Sequence, residues 1–207
     1  MKELVKHYWR TRSKQITRSS YLNCHVKGLH SIMLIDSPEQ KVRVYIADQD
    51  HELFHNSDGE ARSLAFHPHH CALTLHVIHG ELVNWTKKLV NEVDGLDSKP
   101  YGRWLYSSKI KDGEMGFELV GEEILKTGFK NVLYPGSSIY LPAWVIHTVS
   151  VPKGQLTAWI VYEGAENIGY QPVAWSNQDL SKLQVEGLYI RPIEEEVYTL
   201  LTRVGLL

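Results

Sequence analysis

Residues 66–82 read FHPHHCALTLHVIHGEL and put His67, His69, His70, His76 and His79 into a stretch whose other side chains suit a buried strand. Neutral imidazole is a nitrogen ligand for divalent iron, zinc, copper, nickel and manganese, and burying a polar ring without a partner is costly. A histidine-rich strand therefore raises the question of what it holds. In extended chain, residues two apart project to one side, so His67 and His69 converge while His70 points away. Pro68 between them opposes a helix and suits the start of a strand. The same parity carries Cys71, Leu73, Leu75 and Val77 along the inner face until Gly80 ends the run. A third imidazole stands in YPGSSIYLPAWVIHTVSV, where a turn led by Gly136 enters a short strand, Pro142 bends the chain and His147 opens the next strand. Three nitrogens on one face would leave coordination positions open for water or substrate.

Such a site must be positioned by the short strand-like runs that begin at Leu29: LHSIMLID, KVRVYIA, SLAFH, CALTLHVIHGELVNW, GRWLYSSKI, GFELVGEEIL, GSSIYLP, HTVSV and LTAWIVYE. Between them lie SPEQ, NSDGEA, KDGEMG, YPGSS and PKGQ, which carry the Gly, Pro, Asn and Asp that turns require. Many short strands at this spacing predict an all-β barrel or sandwich. Residues 90–102 read as an exposed excursion. The ends differ: residues 3–15 suit a short amphipathic helix or ordered arm with a basic face in water, and Ile193, Val197, Leu200, Leu201 and Val204 recur at helical spacing. The expected organisation is one domain over 1–207, with a barrel core at about 29–163, an N-terminal arm at 1–28 and a C-terminal extension at 164–207. The terminal helix would pack outside the barrel or against a second copy, as in a homodimer.

With 207 residues, 43% of them hydrophobic, the chain can bury a substantial core. A net charge of −2 gives no field that would draw nucleic acid or an anionic membrane, and neither is expected as a partner. Cys24 and Cys71 are the only cysteines, too few for a disulfide framework, and a reducing, cytoplasmic setting is the expectation. No run is long and apolar enough to span a bilayer, and the glycines form no phosphate-binding loop.

The two histidine segments resemble the two motifs of the cupin superfamily: a His-x-His strand ending in Gly, here His67-Pro68-His69 to Gly80, and Gly-x5-Pro followed closely by His, here Gly136 to Pro142 and His147. The resemblance covers roughly 29–163. It implies a small double-stranded β-helix, a jelly-roll barrel, with His67, His69 and His147 as metal ligands, and leaves both ends, where the spacing predicts short flanking helices, unexplained. Two positions depart from the pattern. The glutamate that often supplies a fourth ligand would fall at Leu73, and the glycine two residues after the proline is Trp144. A three-histidine set is similar to that of thiol dioxygenases, which makes ferrous iron the leading metal, with zinc, manganese or nickel as alternatives.

Further side chains could meet substrate or support the ligands: His70, Cys71, His79, Tyr140, Trp144, Arg43 and Arg103. Cys71 suits a small core residue, Tyr140 a packing aromatic, and an inward arginine could grip a carboxylate. His76 falls on the outer face, where a structural role is expected. His51 and His55, four apart, suit a polar loop at the rim. No side chain stands out as a catalytic acid or base, and Leu73 occupies the place where an inner carboxylate might stand. The expectation is an iron-dependent oxygenase acting on a small polar molecule such as a thiol or carboxylate. The alternatives are a redox-neutral metal-dependent isomerase, lyase or hydrolase, and a non-catalytic ligand-binding barrel.

Overall fold

A computed structural model describes residues 2–53, 65–106, 116–165, 171–183 and 186–207. Ten strands form: β1 (Leu29–Asp36), β2 (Lys41–Ala47), β3 (Leu73–His79), β4 (Leu82–Val90), β5 (Ser98–Tyr106), β6 (Phe117–Leu133), β7 (Ser138–Leu141), β8 (Ile146–Ser150), β9 (Thr157–Glu163) and β10 (Val173–Ser176). Helices α1 (Lys2–Ser19) and α2 (Glu194–Arg203) lie near the two ends. The strands make two curled sheets, ordered β1-β2-β9-β3-β7 and β10-β5-β6-β4-β8, as the expected jelly-roll barrel requires. No helix among the described residues is long and apolar enough to cross a membrane.

Two apolar layers explain the text of the first sheet. Val42, Val44 and Ile46 of β2 and Ala158 and Ile160 of β9 pack outward against Val5 and Ile16 of α1 and Val197, Leu200 and Leu201 of α2. The helical repeat near the end of the chain thus buries its stripe on the barrel's outer face, although Ile193 is exposed. On the inner face, Leu73, Leu75 and Val77 of β3 meet Trp159 and Val161 of β9, Leu141 of β7 and Leu82 of β4. Because β2 is covered on one face by the helices and faces the interior with the other, its alternate residues Arg43 and Tyr45 point inward.

The chain turns from β3 into β4 at Gly80, whose φ of +73° suits glycine, and a Cβ added there would sit 2.5 Å from the Leu156 carbonyl oxygen. Gly136, at φ +89°, donates its amide to the Val77 carbonyl at 2.9 Å and so fixes the second motif's turn on β3.

Three sequence expectations need correction. FHPHHCALTLHVIH is not one strand: Phe66 and His67 hydrogen-bond in the second sheet, and the chain crosses at Pro68 before β3 begins in the first. Proline supplies no amide for a continuous ladder, which favours the break. The excursion at 90–102 is shorter than expected, since β5 begins at Ser98, whose Oγ accepts from the Asp94 amide at 2.6 Å. His51 is buried with its Nε2 3.1 Å from the Pro152 carbonyl oxygen, and is not a polar rim residue. His55 lies outside the described residues, as does most of NSDGEA and KDGEMG.

Candidate metal centre

His67, His69 and His147 come together, with one ring nitrogen from each within 4.8 Å of the others. Backbone pairing is the cause. His67 and His147 are directly opposed and exchange both amide hydrogen bonds, at 3.0 and 3.1 Å, which sends their side chains to the same side. Two residues on, the Trp144 amide donates to the His69 carbonyl at 3.0 Å. The two motif segments are thus joined at His67 to His147 and at His69 to Trp144. Phe66 exchanges hydrogen bonds with Trp175 of β10, so Phe66–His67 also links the two edges of the second sheet.

The rings are set for Nε2 ligation. His67 Nδ1 lies 2.9 Å from the Ala65 carbonyl oxygen, and His147 Nδ1 lies 2.9 Å from the Oδ1 of buried Asn84. Each oxygen accepts an Nδ1 proton, which leaves the lone pair on Nε2. The Nε2 of His147 is buried and meets no hydrogen-bonding group among the described residues. An orphaned buried nitrogen beside two further imidazoles fits a metal ion. Burial holds all three rings below the usual imidazole range, His147 at about 3, with mutual repulsion lowering His69 and His147 further. The neutral form, which is the ligand form, therefore prevails at neutral pH.

Beyond the histidines the interior carries polar groups from three segments. Arg43 donates from Nε to Glu163 Oε1 at 2.8 Å. Tyr45 stacks on Trp159 with ring centroids 5.5 Å apart. Glu163 pairs in register with Leu73, so a carboxylate does reach the inner face, opposite the position where the sequence offered leucine. It comes from β9, about 90 residues further along the chain. Burial, with repulsion from His67 and Arg43, lowers His25 to about 4. Its Nδ1 is 2.8 Å from the Tyr189 hydroxyl. Alternation in KVRVYIA carried a signal for Arg43 and Tyr45. His25 and Tyr189 lie outside the barrel text, and no spacing marked them.

Other named residues fall elsewhere. Tyr140 is 64% exposed, because Leu141 takes the inward position on β7 and sends its neighbour to solvent. His79 is exposed beside the register shift at the end of β3, not on the inner side. Arg103 lies 3.7 Å from Glu123, which also accepts from Trp175 Nε1 at 2.8 Å. Trp175 packs with Phe66 and Ile146, whose side chains point opposite to those of their neighbours His67 and His147, so Arg103 is on the far side of the sheet. His70 is half-buried and Cys71 is buried in the interior core. His76 is on the outer side, with Nδ1 2.8 Å from Ser138 Oγ. Trp144 is 55% exposed and adopts φ +71°, so the tryptophan takes the left-handed conformation that the motif's glycine would supply.

No family model matches the sequence. No curated protein matches it. Matching solved structures include an RmlC-like cupin from Shewanella frigidimarina, 15% identical over 68% of this chain and 79% of that one, with a TM-score of 0.36. The hydroxypropylphosphonic acid epoxidase from S. wedmorenis is 15% identical over 70% of this chain and 55% of its own, with a TM-score of 0.39. The polyketide cyclase RemF from Streptomyces resistomycificus is 15% identical over 77% of this chain and 78% of its own, with a TM-score of 0.40. Two curled sheets, two joined motif segments and three convergent imidazoles agree with the jelly-roll barrel that the sequence leads one to expect, and the imidazoles form a group able to hold a metal.

Proposed function

We propose that the protein binds one divalent metal through the Nε2 atoms of His67, His69 and His147 and acts as an iron-dependent oxygenase on a small polar molecule. The observation that carries the metal reading is the buried Nε2 of His147, left without a protein partner while Asn84 fixes the ring's other nitrogen. Ferrous iron, once bound, would supply the redox chemistry for dioxygen, which no side chain here provides. The chain's own contribution is geometric and electrostatic. Three neutral ligands on one side leave the other side accessible. Leu73, Leu75 and Val77 form an apolar wall that limits water, and Arg43 offers a cationic group on the interior face to hold a carboxylate.

A redox-neutral isomerase, lyase or hydrolase is the second reading, and Glu163 favours it. Absence of an inner carboxylate counted against that chemistry in the sequence, and the structure supplies one.

Metal content by mass spectrometry on untagged protein, for wild type, His67→Ala and His147→Ala, is the test. One iron per wild-type chain, lost in both variants, supports the leading reading and directs screening of thiols and small acids by oxygen uptake. Zinc or manganese in its place moves the redox-neutral reading ahead. Metal retained in both variants, or none in wild type, overturns the three-histidine centre.

A further inference from the structure

The net charge of −2 conceals a division within the chain. Helix α1 holds six lysines and arginines against the single Glu3, so it carries +5 while the remaining residues carry −7. From the sum no nucleic acid is expected as a partner, yet screening confines a charge's reach to about 8 Å at physiological salt, and a molecule at this helix meets the local charge. Lys2, Arg10, Arg12, Lys14 and Arg18 are exposed, and among the described residues none has a carboxylate within 4.0 Å. Lys6 is paired, with Glu3 at 3.1 Å. Glu194 of α2, which reaches the helix, accepts from Ser13 Oγ at 3.1 Å and not from a cation.

The helix is pinned so that its cations face away from the barrel. It is broken at Arg12, and each half has its own anchor, Val5 in the first and Ile16 in the second, both buried in the layer against the first sheet. At about 100° per residue, Lys6 and Arg10 lie about 100° and 140° round from Val5, and Lys14 and Arg18 about 160° to either side of Ile16. Lys2, Lys6 and Arg10 follow one another four apart in the first half, as do Lys14 and Arg18 in the second. Like charges at that spacing disfavour a helix, and a bound polyanion removes the repulsion.

The apolar side chains decide between anionic partners. A helix that lies in a lipid surface sinks an apolar face into it. Here Val5, Tyr8, Trp9 and Ile16 are turned to the barrel, which leaves Leu4 as the exposed large apolar side chain of the helix. A flat anionic surface would also meet the first turn of α2, where Glu194, Glu195 and Glu196 are exposed. A narrow strand follows the cations and avoids those acids. Arginine suits phosphate in particular, since a guanidinium donates two parallel N–H bonds to it. Tyr8 and Trp9 pack on the barrel instead of standing out for bases to stack on, so the contact is with the backbone.

We propose that the outward face of α1 is a docking surface for the phosphodiester backbone of a nucleic-acid strand, bound without reading its bases. Metal at the histidines is not required for it.

Fluorescence anisotropy of a labelled, mixed-sequence DNA single strand, titrated with the full-length protein, tests it. At about 0.7 per phosphate contact, four contacts give log K a slope of about −3 against log salt, and affinity should fall about 50-fold between about 50 and 200 mM salt. A strand of thymidines alone should bind within about three-fold of the mixed sequence. Arg10→Glu combined with Lys14→Glu should weaken binding about 30-fold or more at the lower salt and flatten the slope by about 1.4. Lys27→Glu, which reverses an exposed cation off the helix, should change affinity less than about three-fold. Urea unfolding checks that each variant folds, and Arg10→Gln with Lys14→Gln carries the test if the double reversal does not, with a loss of about ten-fold. Affinity equal to wild type in the folded double variant, or no binding of the strand by wild type, overturns the proposal. Binding to phosphatidylserine vesicles in place of the strand assigns the helix to a lipid surface, and a low-salt dimer in place of strand binding assigns it to the acidic surface of a second copy; either also overturns the proposal.

Discussion

Asn84→Ala isolates the support of one ligand from the ligand itself. Asn84 is fully buried on β4, and its Oδ1 accepts the Nδ1 proton of His147 at 2.9 Å. Its Nδ2 has no partner among the described residues, so truncation also removes one unsatisfied group and offsets part of the stability lost with the side chain. In the metal-free variant the unheld ring can turn and shift its proton toward the lone pairs of His67 or His69, whose ring centroids are 5.6 and 5.1 Å away, which relieves the orphaned donor. In the loaded state Nε2 must be a lone pair, the proton returns to Nδ1, and that N–H is buried without an acceptor. The penalty therefore falls on the loaded state. At about 1–3 kcal/mol for an unsatisfied buried donor, the metal Kd should rise about 5- to 150-fold, in the range common for groups that support a ligating histidine. Competition against a chromophoric chelator, with zinc or cobalt as the probe, measures it directly. Asn84→Asp keeps an acceptor oxygen and should bind metal at least as tightly as wild type. If folded Asn84→Ala binds metal within two-fold of wild type, the orientation of His147 by Asn84 plays no part in the site.

Replacing Trp144, which sits at φ +71° and is 55% exposed, separates strain from packing: Trp144→Gly should be about 1 kcal/mol more stable than Trp144→Ala in urea unfolding, and equal stability would contradict the strain. Metal-free protein should lose stability as pH falls from about 6.5 toward 4, because the unfolded chain protonates its histidines below their ordinary value while folded His25 and His147 stay neutral down to about 4 and about 3. The expected slope approaches about 1.4 kcal/mol per pH unit for each imidazole, and a Tm that is flat between pH 7 and 4.5 would rule it out.

The three convergent histidines were legible because their spacing is local. His67 and His69 are two apart, and Gly136, Pro142 and His147 lie close together along the sequence, so short-range rules reach them. The crossing at Pro68 was not legible: inward parity reads the same whether the chain continues along one sheet or passes to another. Register between distant strands escaped for the same reason. Nothing near Leu73 announces that Glu163 will stand opposite it, or that Arg43 will meet that carboxylate. His25 and Tyr189 were hidden more deeply, since their left-handed backbone falls on residue types that no short-range rule marks for it.

Those hidden residues change the electrostatic character of the site. Three neutral imidazoles leave the full charge of a divalent ion uncompensated, unlike a set that includes a glutamate. Glu163 does not replace the missing charge at no cost, because its carboxylate already bonds Arg43, and turning it to an ion would strand a partly buried guanidinium. The negative charge that balances the centre is therefore more favourably brought by the incoming molecule. Arg43 faces the interior with the same preference, so a divalent ion held there by neutral ligands would favour an anionic partner at its open side.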